Sequence, residues 1–113
     1  MNIQAEIESN EPDLLFSPLA TIDIKETWAY LSGHGEDVAA NFIRSVIKVC
    51  GTISSNPTMG RDRSDLIVGL RHFPHQKYNI FYFQTDIGIE IYRVINSSRN
   101  VVQLFKDPID DIV

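Results

Sequence analysis

The chain has 113 residues, 43% hydrophobic and 22% charged, with a formal net charge of −5 and one cysteine. That length supports one domain with one core, and the charge and apolar content exclude a disordered chain. One cysteine excludes an intramolecular disulfide framework, no run reaches the roughly 20 apolar residues of a membrane helix, and the acidic balance excludes the broad positive excess of a general nucleic-acid binder.

Residues 1–12 are polar and acidic without sustained periodicity and read as a flexible tail or interaction arm. Asp13-Leu14-Leu15-Phe16 is a short apolar run of edge-strand type. Ser17-Pro18 then has the form of a helix start: the serine hydroxyl can accept from the first free amides, and proline is harmless at the first helical position. Ile24, Thr27, Trp28 and Leu31 recur at helical spacing, with Trp28 as the anchor of this helix on the sheet and Gly33 as its left-handed stop. A second helix follows Gly33-His34-Gly35. Glu36 and Asp37 suit its positive end, and Ala39, Phe42, Ile43, Val46, Ile47, Cys50 and Ile53 make a broad apolar stripe up to Asn56-Pro57. So short a joint implies an antiparallel helical hairpin.

From Gly69 the period becomes two. Leu70 to Pro74, Tyr78 to Phe83 and Ile89 to Ile95 read as strands, with Asp86-Ile87-Gly88 as the last hairpin turn. Strict alternation puts Ile89, Ile91, Arg93 and Ile95 on one face and Glu90, Tyr92 and Val94 on the other. Asn100 to Phe105 is a short helical piece, and residues 107–113 form an acidic C-terminal tail. The fold expected is α+β: an N-terminal strand and a helical hairpin packed on an antiparallel three- to four-stranded sheet over residues 13–106. The sheet face away from the hairpin is expected to be open and to carry arginines.

Charge is uneven. Residues 1–37 hold eight carboxylates against Lys25, whereas residues 57–106 hold seven basic side chains against four acids. That distribution allows a locally positive sheet face able to receive an acidic partner, although composition by itself is met by a solvated surface of uneven charge.

Five segments carry a family resemblance. Leu15-Phe16-Ser17-Pro18-Leu19-Ala20 with Ile24-Lys25-Glu26-Thr27-Trp28-Ala29-Tyr30-Leu31, then Asn56-Pro57-Thr58-Met59-Gly60-Arg61, Gly69-Leu70-Arg71-His72-Phe73-Pro74, Lys77-Tyr78-Asn79-Ile80-Phe81-Tyr82 and Ile91-Tyr92-Arg93-Val94-Ile95 occur in the order and spacing of ParE-type toxins. By them the chain resembles the ParE branch of the RelE/ParE superfamily over about residues 13–105. The resemblance implies the toxin of a type II toxin–antitoxin pair, inhibiting DNA gyrase and neutralised by a ParD-like antitoxin. The same fold hosts RelE-type ribosome-dependent mRNA endoribonucleases, so the fold alone does not choose. An inactive relative that only binds an antitoxin is the third reading.

RNA cleavage needs a base, an acid and cations for the phosphate charge. RelE-type members place a His or Tyr near the end of the last strand, where this chain reads Val94-Ile95-Asn96-Ser97. That departure points away from a ribonuclease and leaves no catalytic residue to nominate. Tyr78 and Tyr82 are read as packing residues, and Cys50 as a buried hydrophobe on the helix stripe. His34, His72 and His75 lack metal-ligand spacing, so no metal and no cofactor are expected. The partner-binding candidates are Arg71, Lys77, Arg93 and Arg99. Arg93 is the sharpest, since an arginine among isoleucines requires either an internal carboxylate or a ligand. No membrane partner and no direct sequence-specific nucleic-acid binding are expected. With no basic-then-apolar opening, a cytoplasmic location is expected.

Overall fold

The computed structural model describes Ile7 and residues 13–106. The order is β1 (Leu14–Phe16), α1 (Pro18–Ser32), α2 (Glu36–Ser55), β2 (Arg61–Asp62), β3 (Leu70–His75), β4 (Tyr78–Gln84), β5 (Ile89–Asn96) and α3 (Val101–Lys106). The expected C-terminal tail lies outside the described residues. So does the N-terminal one except Ile7, which is buried with the hairpin-side core.

The strands form one sheet in the order β1-β5-β4-β3-β2. Expectation and structure differ in strand count and sign: there are five strands, and β1 runs parallel to β5. A parallel neighbour needs a long connection: the two helices cross over the sheet from β1 to β2 at its far edge, and β2 to β5 lead back beside β1. Ser17 fixes the geometry of that crossover. Its N–H donates to the Ile91 carbonyl at 2.8 Å and its hydroxyl to the Tyr92 carbonyl at 2.7 Å, while the same oxygen accepts from Ala20 N at 3.0 Å. One residue thus ends β1, caps α1 and ties α1 to β5. Gly88 allows the close approach, since a Cβ there would fall inside the Asp13 carbonyl.

α2 buries Ala39, Phe42, Ile43, Val46, Cys50 and Ile53 as the stripe predicts. Gly33, expected in the left-handed region, is right-handed at φ −66°; the positive φ belongs to Gly35, at 124°. Gly51 sits inside α2 with open space where a Cβ would go. Gly51→Ala should therefore raise stability by about 0.5–1 kcal/mol, read as a higher urea midpoint at unchanged slope.

The sheet has a core on each face. Ile80, Tyr82, Ile89, Ile91 and Val94 pack under the hairpin with α1 and α2 residues, and Trp28 lies partly buried against them. On the other face Leu70, Phe81 and Ile95 pack with Phe105 of α3, flanked by Leu66, Ile67 and Leu104. The expected open, arginine-bearing face is therefore not there. Six residues of α3 and the 63–69 loop cover it, because Phe81 and Ile95 would otherwise leave an apolar surface wet.

A register shift explains the misassigned faces. Phe81 pairs with Arg93 but Tyr82 pairs with Ile91, so Tyr92 is an extra residue in β5. Such a bulge reverses the alternation beyond it. Ile89, Ile91 and Val94 point toward the hairpin, and Ile95 points the other way.

Tyr82 is fully buried, and its hydroxyl organises the link from α2 to the sheet. It donates to the Pro57 carbonyl at 2.7 Å and accepts from Gly60 N at 2.8 Å. Tyr82→Phe leaves a buried N–H without a partner, and we expect a loss of about 1–3 kcal/mol in chemical denaturation.

Candidate functional site

The sequence candidates separate into three environments. Arg93 is buried, 6% exposed, and lies against Asp23 of α1. Its Nε donates to Asp23 Oδ2 at 2.8 Å and its Nη2 to Asp23 Oδ1 at 2.9 Å, a bidentate pair. Asp23 Oδ2 also accepts from Val94 N at 3.0 Å, on the edge of β5 beyond the end of β1. Of the two partners the sequence allowed, the internal carboxylate is the one present. Arg93 is thus a strut between α1 and β5, not a side chain offered outward.

Arg71 lies on β3 beside the two-residue edge strand β2. Its Nη1 donates to the Gly60 carbonyl at 2.8 Å, so it steadies the α2–β2 link. Around it charges neutralise one another. Arg63 and Asp65 form two hydrogen bonds of 3.0 Å, and Asp62 accepts from Ser64 N at 2.7 Å. Those hydrogen bonds hold both carboxyls below their usual range, and the Arg63 bond raises that guanidinium. His72 is pushed down by burial and by Arg63 and Arg61 nearby, which disfavours it as a proton carrier near neutrality.

Lys77 and Arg99 are exposed and belong to a third place, where the free end of the hairpin meets the tip of β3–β4 and the end of β5. A cavity of about 770 Å³ lies between the α1–α2 turn and the β3–β4 loop, with Lys77 on its wall. A second, of about 460 Å³, runs between α1 and the end of β5 to Arg99. Tyr30, Tyr78 and Asn96 line both, so the two are parts of one groove. The structure therefore brings Lys77 and Arg99 together on one surface and leaves Arg71 and Arg93 elsewhere.

The groove is built by local rules. Tyr30 and His34 pack edge to face at 5.4 Å, and Phe42 and Tyr78 lie 4.8 Å apart. His75 Nε2 lies 2.8 Å from Ser45 Oγ, and that hydroxyl donates to the Phe42 carbonyl at 2.6 Å, which ties the β3 tip to α2. The Lys77 carbonyl accepts from Ser97 N at 2.7 Å, fixing the β4 start to the turn after β5. Gln76, first of the two loop residues, takes φ 54°, a place glycine usually fills. Strain of this kind, on the order of 1 kcal/mol, concentrates where function holds the backbone. Sequence reading missed Tyr30, Gln76 and Asn96. The signal was a tyrosine in the last turn of the helix, off the stripe of Ile24, Thr27, Trp28 and Leu31.

For chemistry the groove offers aromatic faces, amides and cations, and Cys50 is out of reach: burial pushes its thiol up to about 12. Among the described residues no group of three His, Cys, Asp or Glu side chains is placed to hold a metal ion, and no helix is long and apolar enough to cross a membrane.

A helical hairpin clasped to a sheet by a parallel first strand is the fold to be compared. A chain of the solved "Chromosomal ParDE TA system from P. aeruginosa" superposes with a TM-score of 0.64 over 74% of this chain and 94% of that one, at 14% identity. The family model of "ParE toxin of type II toxin-antitoxin system, parDE" matches residues 14–101. The chain belongs to that family. It is 31% identical to Toxin ParE3 of Caulobacter vibrioides over 68 residues, covering 60% of this chain and 68% of that toxin. It is 28% identical to Toxin ParE1 of the same organism over 82 residues, covering 72% and 84%. As a member of a toxin–antitoxin family it has an antitoxin as its partner.

Proposed function

We propose that the chain acts in the cytoplasm as an inhibitor of DNA gyrase, without cutting RNA itself, and that a ParD-like antitoxin silences it by covering the groove that carries Lys77 and Arg99. Arg71 contributes at the rim of the β2 edge, and Arg93 acts indirectly by holding α1 on β5. The observation that supports a non-nucleolytic reading is the packed second face of the sheet. Leu70, Phe81, Ile95 and Phe105 fill the sheet face away from the hairpin with side chains that can serve neither as acid or base nor as cation. His72 packs against Phe81 within this region at 5.6 Å, and burial lowers its proton affinity.

The test is induction in a bacterial host without the antitoxin, followed by two assays on the purified chain. Growth arrest with loss of plasmid supercoiling by gyrase supports the proposal. Growth arrest with fresh mRNA 5′ ends in primer extension and unchanged supercoiling defeats it in favour of the ribonuclease.

A further inference from the structure

Among the described residues β1 pairs with β5 and with no other strand, so it forms one margin of the sheet. The Asp13 carbonyl accepts from Ile89 N at 2.9 Å, and Ser17 N donates to the Ile91 carbonyl at 2.8 Å. Backbone direction alternates along a strand, so Leu15 also faces β5. Leu14 and Phe16 therefore turn their N–H and C=O groups to the outer side. A margin of this kind is a template for pairing with a second chain, and natural sheets guard it with charge, proline, a bulge or a cover. Leu14-Leu15-Phe16 has no charge, no proline and no bulge, and Leu15 is 47% exposed. What remains is a cover.

Ile7 points to one. It is 5% exposed and belongs to the same apolar cluster as Leu14, Ala20, Ile43 and Cys50. It stands seven positions before Leu14, a reach of at most about 25 Å, which keeps its segment within range of the β1 margin. Glu6 and Glu8 flank it in the sequence, so one apolar anchor sits between two charges. The family match starts at residue 14, and this anchor therefore lies outside the matched segment. Ile7 lines neither cavity of the groove.

We propose that the segment around Ile7 is a strap, pinned in cis to the hairpin-side core, that shields the outer side of β1 from a second copy of the chain. Ile7 is the pin. Glu6 and Glu8 set charge against an incoming strand, which would have to desolvate them in order to pair. The acidic run before β1 thus guards the sheet's own margin and is not an arm held out to a partner.

The experiment compares the parent chain with Ile7→Asp by amide exchange and by sedimentation velocity across about a hundredfold range of concentration. In the parent, the Leu14 and Phe16 N–H groups should exchange slowly although no described strand accepts from them, and the sedimentation coefficient should not vary. Ile7→Asp should speed exchange at those two amides about tenfold or more, with the β4 amides still protected, and should associate as concentration rises. Adding Leu15→Lys, a charge on the exposed side of the same strand, should return that variant to the parent's coefficient. If Ile7→Asp loses the fold altogether, Ile7→Ala is read in its place. Parent amides that exchange at free-peptide rates, an Ile7 variant with unchanged exchange or without association, or association that Leu15→Lys leaves intact would each overturn the proposal.

Discussion

Arg93→Ala is expected to lower the unfolding free energy by about 3–5 kcal/mol, because it leaves the Asp23 carboxylate buried without its cation. Both partners are under a tenth exposed, so solvent cannot replace the lost charge. The site is also a structural corner. β1 pairs with β5 only as far as Ile91, and beyond it the edge of β5 would face α1 with Val94 N unpaired. Asp23 supplies the acceptor, and Arg93 makes a carboxylate tolerable at that depth. The double variant Asp23→Asn/Arg93→Met should recover most of the loss. It removes both charges, keeps an amide oxygen for Val94 N and keeps the aliphatic volume. A urea denaturation cycle of the two singles and the double tests this. A loss below about 1 kcal/mol for Arg93→Ala would show that solvent reaches the pair after all.

Phe81→Ala is expected to cost about 3–5 kcal/mol and to loosen α3. Phe81 is fully buried, packs edge to face with Phe105 at 5.0 Å, and sits at the centre of the second core. A helix of six residues has no stability of its own, so α3 persists only through side chains such as Phe105. Stability is read by chemical denaturation, and α3 by amide exchange of its own N–H groups. If Phe81→Ala left stability within about 1 kcal/mol of the parent, this sheet face would be a loose cover and not a core.

The two outcomes define what sequence could and could not reveal. Both helices, their caps at Ser17 and Asn56 and three strands follow from local chemistry, because apolar spacing and turn residues act within a few positions. The first strand was legible, but its parallel pairing with β5 was not, since Leu14-Leu15-Phe16 carries no mark of its partner. The bulge at Tyr92 was likewise hidden. One inserted residue reversed the faces of Val94 and Ile95, and with them the reading of which side was open. At the site, the requirement that Arg93 be partnered was legible, but the identity of Asp23 as partner was not, with 69 residues between them. Lys77 and Arg99 were picked out by charge. Tyr30 and Asn96, which join the two cavities, become visible only when α1, β4 and β5 converge.

Amide hydrogen exchange of the chain, free and bound to its antitoxin, is the most direct test of which surface the partner covers. New protection is expected at residues 33–36, 76–78 and 97–100, the turns that frame the Lys77–Arg99 groove, with residues 101–106 unchanged. Protection confined to 63–72 and 101–106 would place the partner on the face that Phe105 covers, and would contradict it.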